Sequence, residues 1–162
     1  MRRRGPFIGV VGAGTCSEAI DALAAEVGRE IARREAILVC GGLQGVMAAA
    51  ARGARELGGF TIGILPGAAT HQANPYIDFP IATNMGQARN AIIVQTADVL
   101  IAVAGGYGTL SEIALALKIG KGVVAIQPQF PVRGVHVVQS PTEAVREALA
   151  LLEISAPPTI MV

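Results

Sequence analysis

The sequence predicts an α/β fold, a single doubly wound (Rossmann-like) domain whose parallel sheet is flanked by helices. Strand signals alternate with helix signals from Phe7 to the last helix, the pattern of repeated strand-helix units. The strand segments are apolar from end to end and do not alternate with polar residues, which marks strands buried on both faces. Glycine clusters follow several of them, where the chain must turn sharply into the next element.

Taken in order, Phe7-Ile-Gly-Val-Val11 is the first strand, ended by Gly12-Ala13-Gly14. Ser17-Glu18 opens a helix to about Arg33, with Ile20, Leu23, Ala24, Val27 and Ile31 on one face. Ala36 to Cys40 is the second strand, closed by Gly41-Gly42; Gly45 to Leu57 is helical, and Gly58-Gly59 stops it. Thr61 to Leu65 is the third strand, cut off by Pro66-Gly67. The stretch from Ala68 to Phe79 has no period and reads as a loop about a dozen residues long, a length that is often functional.

Phe79 to Thr83 is a short strand, placed near a sheet edge because Pro80 cannot donate to a ladder. A helix from Gly86 to Thr96 follows, then the strand Asp98 to Ala104, a helix from Thr109 to Gly120, the strand Gly122 to Ile126 and a weaker strand Val135 to Val138. Ser140-Pro141-Thr142-Glu143 opens the last helix as a capping sequence. Residues 1–5 read as a flexible N-terminus and residues 155–162, with Pro157-Pro158, as an irregular tail.

Composition narrows the function classes. At 162 residues one core is the default. With 52% hydrophobic and 15% charged residues, the surface carries little charge, and a homodimer or higher homo-oligomer is expected. Net charge is +1 and the only basic cluster is Arg2-Arg3-Arg4, so nucleic acid is not an expected partner. No run reaches the length of a membrane helix, and no signal core follows the arginines; a cytoplasmic protein with no membrane partner is expected. Cys16 and Cys40 have no partner at metal-ligand spacing, and His71 and His136 lie far apart, so no metal and no resident cofactor is called for.

The chemistry concentrates in three Gly-rich turns at carboxyl ends of strands, where open α/β sheets bind ligands. They are Gly12-Ala13-Gly14-Thr15, Gly41-Gly42-Leu43-Gln44-Gly45 and Gly105-Gly106-Tyr107-Gly108-Thr109. The third is the most informative, because backbone amides and a helix N-terminus converge there on an anion. No turn carries the full dinucleotide fingerprint, and none is followed by the Gly-Lys-Ser/Thr of a P-loop. Lys118 and Lys121 sit in and just after a helix, away from any turn that could hold pyridoxal phosphate. Two charged residues stand out beside the third turn. Arg89, early in its helix, offers a planar fork suited to phosphate, and Glu112 lies one to two turns into the helix that the glycines open.

Gly-Gly-Tyr-Gly-Thr-Leu-Ser-Glu at 105–112 resembles the Pro-Gly-Gly-x-Gly-Thr-x-x-Glu motif of the LOG family, cytokinin nucleoside 5'-monophosphate phosphoribohydrolases once mislabelled lysine decarboxylases. Arg89 stands upstream of Ala97-Asp98 at the family's spacing, and Gly41-Gly42-x-x-Gly45-Val46-Met47 and Gly63-Ile64-Leu65-Pro66 add to the resemblance, which spans about residues 7–126. Ala104 replaces the motif's proline, Asn90 the lysine after the arginine, and Met85 lies four residues before Arg89 instead of three. These departures resemble a related bacterial branch and the algal molybdenum-cofactor carrier proteins, which bind a phosphorylated pterin.

The resemblance implies one of two activities. The first is hydrolysis of the N-glycosidic bond of a nucleoside 5'-monophosphate, with Arg89 and Glu112 as catalytic residues. The second is non-catalytic carriage of a phosphorylated cofactor such as molybdenum cofactor. Either way the partner is a nucleotide-like phosphorylated small molecule. Its expected contacts are Gly12, Gly14, Thr15, Gly42, Gly45, Met85, Asn90, Gly105, Gly106, Tyr107, Gly108 and Thr109.

Overall fold

A computed structural model describes residues 5–155. Seven strands form one sheet in the order β4-β3-β2-β1-β5-β6-β7, every neighbouring pair parallel. They are β1 (Phe7–Gly12), β2 (Ile37–Cys40), β3 (Thr61–Leu65), β4 (Phe79–Ala82), β5 (Val99–Val103), β6 (Val123–Ile126) and β7 (His136–Val138). The helices are α1 (Glu18–Arg33), α2 (Val46–Glu56), α3 (Arg89–Thr96), α4 (Tyr107–Lys118) and α5 (Pro141–Ser155). The chain winds outward from β1 to β4, then returns to the other side of β1 as β5, so strand order reverses between β1 and β5.

Strand alternation builds two cores. Val99, Ile101 and Val103 of β5 face α1, α2 and α5 together with Ile8, Val10 and Leu38, while Leu100 and Ala102 face α3 and α4 with Val11, Val39, Ile93 and Ile113. Ile8, Leu38, Leu100 and Ile101 are fully buried, and each such side chain contributes about 1.5–3 kcal/mol relative to exposure. β4 and β7 are largely exposed, as befits the two edges.

α1 and α2 cross closely because Gly28 and Gly53 leave room for the facing backbone; a Cβ on Gly53 would strike the Ala25 carbonyl. Around that crossing, Arg29 bonds Glu26 and Glu56, and Arg52 bonds Asp21. Lys121 holds the far end of α3: its Nζ donates to the carbonyls of Val94 at 2.8 Å, Gln95 at 2.7 Å and Ala97. α5 starts as its sequence reads, with Ser140 Oγ accepting from Glu143 N at 3.2 Å and Glu143 accepting from Gln139 N at 3.1 Å.

Most boundaries shift by a residue or two from the sequence reading, the 68–79 loop carries a short 3-10 turn at Thr70–Gln72, and three differences bear on the site or the ends. The helix expected over Gly86 to Thr96 is a 3-10 turn, Gly86–Ala88, followed by α3, because Gly86 sits at φ +56 and cannot extend a right-handed helix backwards. α4 starts at Tyr107, two residues before the expected Thr109, since Gly106 is its N-cap and Tyr107-Gly108 already carry helical backbone. Ser155, read as the start of the tail, is the last residue of α5. The remainder of that tail and most of the N-terminal segment lie outside the described residues.

Candidate functional site

A cavity of about 290 Å³ opens at the carboxyl ends of β1 and β5, where strand order reverses. That is the crevice in which doubly wound sheets take ligands. Its walls come from the turn after β1, from Gly41 and Leu43 after β2, from the start of α3 and from the start of α4.

The three glycine turns prove unequal, and helix capping explains why. α1 carries a side-chain cap: Ser17 Oγ accepts from Ile20 N at 3.3 Å, and Glu18 and Asp21 occupy its first turn. α2 lacks a side-chain cap, but its first amide, on Val46, donates to Ala13 O at 3.0 Å. α4 has no side-chain cap, and its first internal bond runs from Leu110 N to Gly106 O at 2.9 Å. The amides of Tyr107, Gly108 and Thr109 therefore have no acceptor within the helix and stand at the positive end of its dipole, and Gly108 and Thr109 line the cavity.

The backbone that presents these amides is shaped residue by residue. Ala104 adopts φ +49, and its N–H donates to Ile126 O at 2.9 Å. Proline, fixed near φ −65° and lacking that hydrogen, does not fit this conformation, so the departure at 104 belongs to the local geometry. Gly105 follows at φ +96, where a Cβ would run into the Thr109 hydroxyl.

Arg89 is 8% exposed and begins α3. Its Nη2 donates to Gly41 O at 3.3 Å, Nη1 donates to Asn90 Oδ1, and Nε is buried without a partner. Gly41 is what admits the guanidinium: a Cβ there would lie 2.7 Å from Arg89 Nη2 and 2.7 Å from Met47 Sδ. Burial pulls the Arg89 pKa down, opposed by Glu112 and Cys40.

Glu112 is 6% exposed and lines the same cavity. Among the described residues no hydrogen bond or ion pair reaches its carboxyl. Burial pushes its pKa up to about 7, opposed by the Arg89 charge. Beneath it, Cys40 is fully buried and its thiol is pushed up to about 11 by desolvation, which makes it an inert core group.

Of the residues singled out from the sequence, Gly12, Gly14, Arg89, Asn90, Gly106, Gly108, Thr109 and Glu112 line the cavity together. Thr15, Gly42, Gly45, Met85, Gly105 and Tyr107 do not. Gly42 and Gly45 shape the second turn at positive φ, Gly45 packing against Ala13 and Gly14. Met85 precedes the 3-10 turn and is half exposed. Tyr107 points outward, 81% exposed, with its ring stacked on Phe130 at a centroid distance of 5.3 Å.

Ala13, Gly41 and Leu43, within turns singled out from the sequence but not named as contacts, also line the cavity, as do Val10, Val11, Met47 and Gln87, which were not expected there. Sequence reasoning missed Asn74, whose amide ties the 68–79 loop to the second turn: Nδ2 donates to Leu43 O at 2.7 Å, Oδ1 accepts from Tyr76 N at 3.0 Å, and its own N donates to Gly42 O at 2.9 Å. Gly41 and Met47 stood inside a recognisable motif; nothing local flags Asn74. Among the described residues no cluster of His, Cys, Asp and Glu could hold a metal, and no helix is long and apolar enough to cross a membrane.

Residues 6–155 match the model of the SLOG cluster4 family. The chain belongs to the SLOG cluster4 family. Among solved structures it is similar to the molybdenum cofactor binding protein from Rippkaea orientalis, with a TM-score of 0.85, 37% identity, and coverage of 94% of this chain and 99% of that one. It is likewise similar to the molybdenum cofactor carrier protein of Chlamydomonas reinhardtii, with a TM-score of 0.82, 40% identity, and coverage of 91% and 99%. A cytokinin riboside 5'-monophosphate phosphoribohydrolase of Mycobacterium tuberculosis is 39% identical over 94 residues, which is 56% of this chain and 50% of that relative. The LOG resemblance is thus partial, whereas the likeness to the two molybdenum-cofactor proteins runs nearly end to end.

Proposed function

We propose that this protein binds a phosphorylated, nucleotide-like small molecule in the β1/β5 cavity and holds it without turnover, as a carrier for a cofactor of the molybdenum-cofactor type. The observation that carries the reading is the uncapped N-terminus of α4 opening into a cavity that also contains the buried Arg89 guanidinium. The amides of Tyr107, Gly108 and Thr109 take the phosphate. Arg89 neutralises it and orients the body of the ligand, and Asn90, Gly12 and Gly14 supply further polar or backbone contacts. Near full-length likeness to two proteins described as binding or carrying molybdenum cofactor supports the choice of cargo.

The second reading is a phosphoribohydrolase, favoured by the retained pair Arg89 and Glu112 and by the partial match to the mycobacterial enzyme. In that reading Glu112, as the anion, stabilises an oxocarbenium-like transition state or activates water, and Arg89 fixes the substrate. A carboxyl pushed up to about 7 suits a general base at neutral pH, whereas as a purely electrostatic stabiliser it is only partly ionised there. Incubation with AMP and other nucleoside monophosphates, followed by an assay for ribose 5-phosphate, separates the two: the carrier reading expects bound ligand and no ribose 5-phosphate.

Self-association is part of the same proposal. Leu57, Phe60, Phe79, Ile81 and Met85 are exposed apolar residues in or near the β3–β4 side of the sheet, with Phe60 and Phe79 in ring contact at 6.2 Å. Light scattering after size exclusion is expected to report a dimer or larger, and a monomer at micromolar concentration would remove this part.

A further inference from the structure

Resting on the reading of the cavity as a phosphate site, we propose that the protein takes up its anionic ligand together with one proton, which resides on Glu112 in the loaded state. Glu112 is then a hydrogen-bond donor that selects a ligand presenting an acceptor atom, such as a ring oxo or imino nitrogen, some distance from its phosphate.

The placement of charge argues for it. The cavity wall holds one carboxyl, Glu112, and one guanidinium, Arg89, with no ion pair formed between them among the described residues. Two of the Arg89 nitrogens are already engaged by Gly41 O and Asn90 Oδ1. Arg89 therefore offsets only part of the cost of a buried anion at Glu112. A phosphate seated on the first amides of α4 brings further negative charge into the same cavity, one to two helical turns from this carboxyl. Like charges in a poorly solvated site drive one of them to protonate. The ligand is fixed as an anion by the helix N-terminus, so the proton goes to Glu112.

The other titratable group facing this carboxyl is Cys40 on β2, beneath it, and Arg89 on α3 is the cation opposite. β1 contributes only Val10, Val11 and Gly12 to that wall, and none of these titrates. The thiol stays neutral across the physiological range, and the guanidinium stays charged. Neither can supply or absorb the proton, so the linkage belongs to Glu112.

A neutral Glu112 has one O–H with no acceptor in the protein. That O–H opens on the cavity, and a ligand that presents an acceptor there gains a hydrogen bond that one presenting a donor does not. The same group seen as a neutral acid gives the cavity a preference for acceptors over donors at that point. A site of this kind distinguishes analogues that differ by an oxo or an amino group.

The experiment compares wild type with Glu112→Gln, which keeps the shape and the donor but cannot titrate. The probes are inorganic sulfate, which does not itself titrate over this range, AMP and a pterin monophosphate. Calorimetry in two buffers of different ionisation enthalpy reads the protons taken up. Wild type is expected to take up a proton near neutral pH that E112Q does not. Its affinity should fall up to about tenfold per pH unit above pH ~7 relative to E112Q, the two being alike near pH ~6.

Sulfate with wild type alone gives the same proton count should E112Q fail to fold. Binding with no proton uptake by wild type, or with a pH profile that E112Q shares, would overturn the proposal and leave the phosphate site standing. Failure of all three probes to bind at any pH would overturn the phosphate site and this proposal with it.

Discussion

At the scale of single residues, the candidate site depends on backbone conformations that side-chain chemistry does not reveal. Ala104 at φ +49 carries about 1 kcal/mol of local strain that glycine would relieve, whereas proline would lose both the conformation and the hydrogen bond to Ile126 O. Ala104→Gly is expected to raise stability by about 0.5–1 kcal/mol and Ala104→Pro to lower it by about 3 kcal/mol or more, read by urea unfolding. Proline tolerated at 104 without loss would mean that the turn has another shape. Gly41→Ala pushes a methyl onto Arg89 and Met47; phosphate-ligand affinity should drop at least tenfold, while affinity unchanged in a folded variant would remove Arg89 from the site. The turn at 105–109 and its two charged neighbours were legible because their signals are local: glycines between an apolar strand and a helix, an acid in that helix, an arginine opening the next one back. The Gly41 turn was legible too, but its contact with Arg89 was not, nor was Asn74, because these contacts join residues distant in sequence and close only after folding.

At the scale of elements, the parallel sheet was readable because continuous apolar strands have no other home, and Pro80 correctly marked β4 as an edge. Helix starts were less readable. Gly106-Tyr107-Gly108 has a turn's composition, yet helical backbone begins at Tyr107, and that shift of two residues is what brings the first amides of α4 to the cavity. α3 depends on a contact with no sequence signature, the Lys121 ammonium on three carbonyls at its C-terminal end. Lys121→Met is expected to cost about 1–3 kcal/mol and to speed amide exchange in α3 ahead of the rest of the chain, which would loosen Arg89 at the other end. Exchange rising uniformly would show that α3 has no separate anchor there. At the α1/α2 crossing, Gly53→Ala should cost about 1–3 kcal/mol by forcing the helices apart.

At the scale of the whole molecule, Glu112 couples the site to global stability. Its folded pKa of about 7 lies well above the ordinary carboxylate value near 4.5. Below pH ~4.5 the carboxyl is neutral in both states and imposes no penalty; as pH rises from there to ~7 the unfolded chain ionises first, and the native state loses up to about 3 kcal/mol. Glu112→Gln should flatten that decline and be the more stable protein at pH ~8, whereas parallel stability curves for the two would place the carboxyl in solvent. An ionisable group kept in a cavity at a cost in stability is consistent with the proposed ligand site. The most direct measurement is the fate of that occupant: the protein is loaded with molybdenum cofactor and, separately, with AMP, stripped of free ligand, and its contents identified after denaturation. Intact phosphorylated ligand, retained by wild type and lost in Arg89→Ala, is the expected result; free base with ribose 5-phosphate, or retention that is indifferent to Arg89, would contradict a carrier built on this cavity.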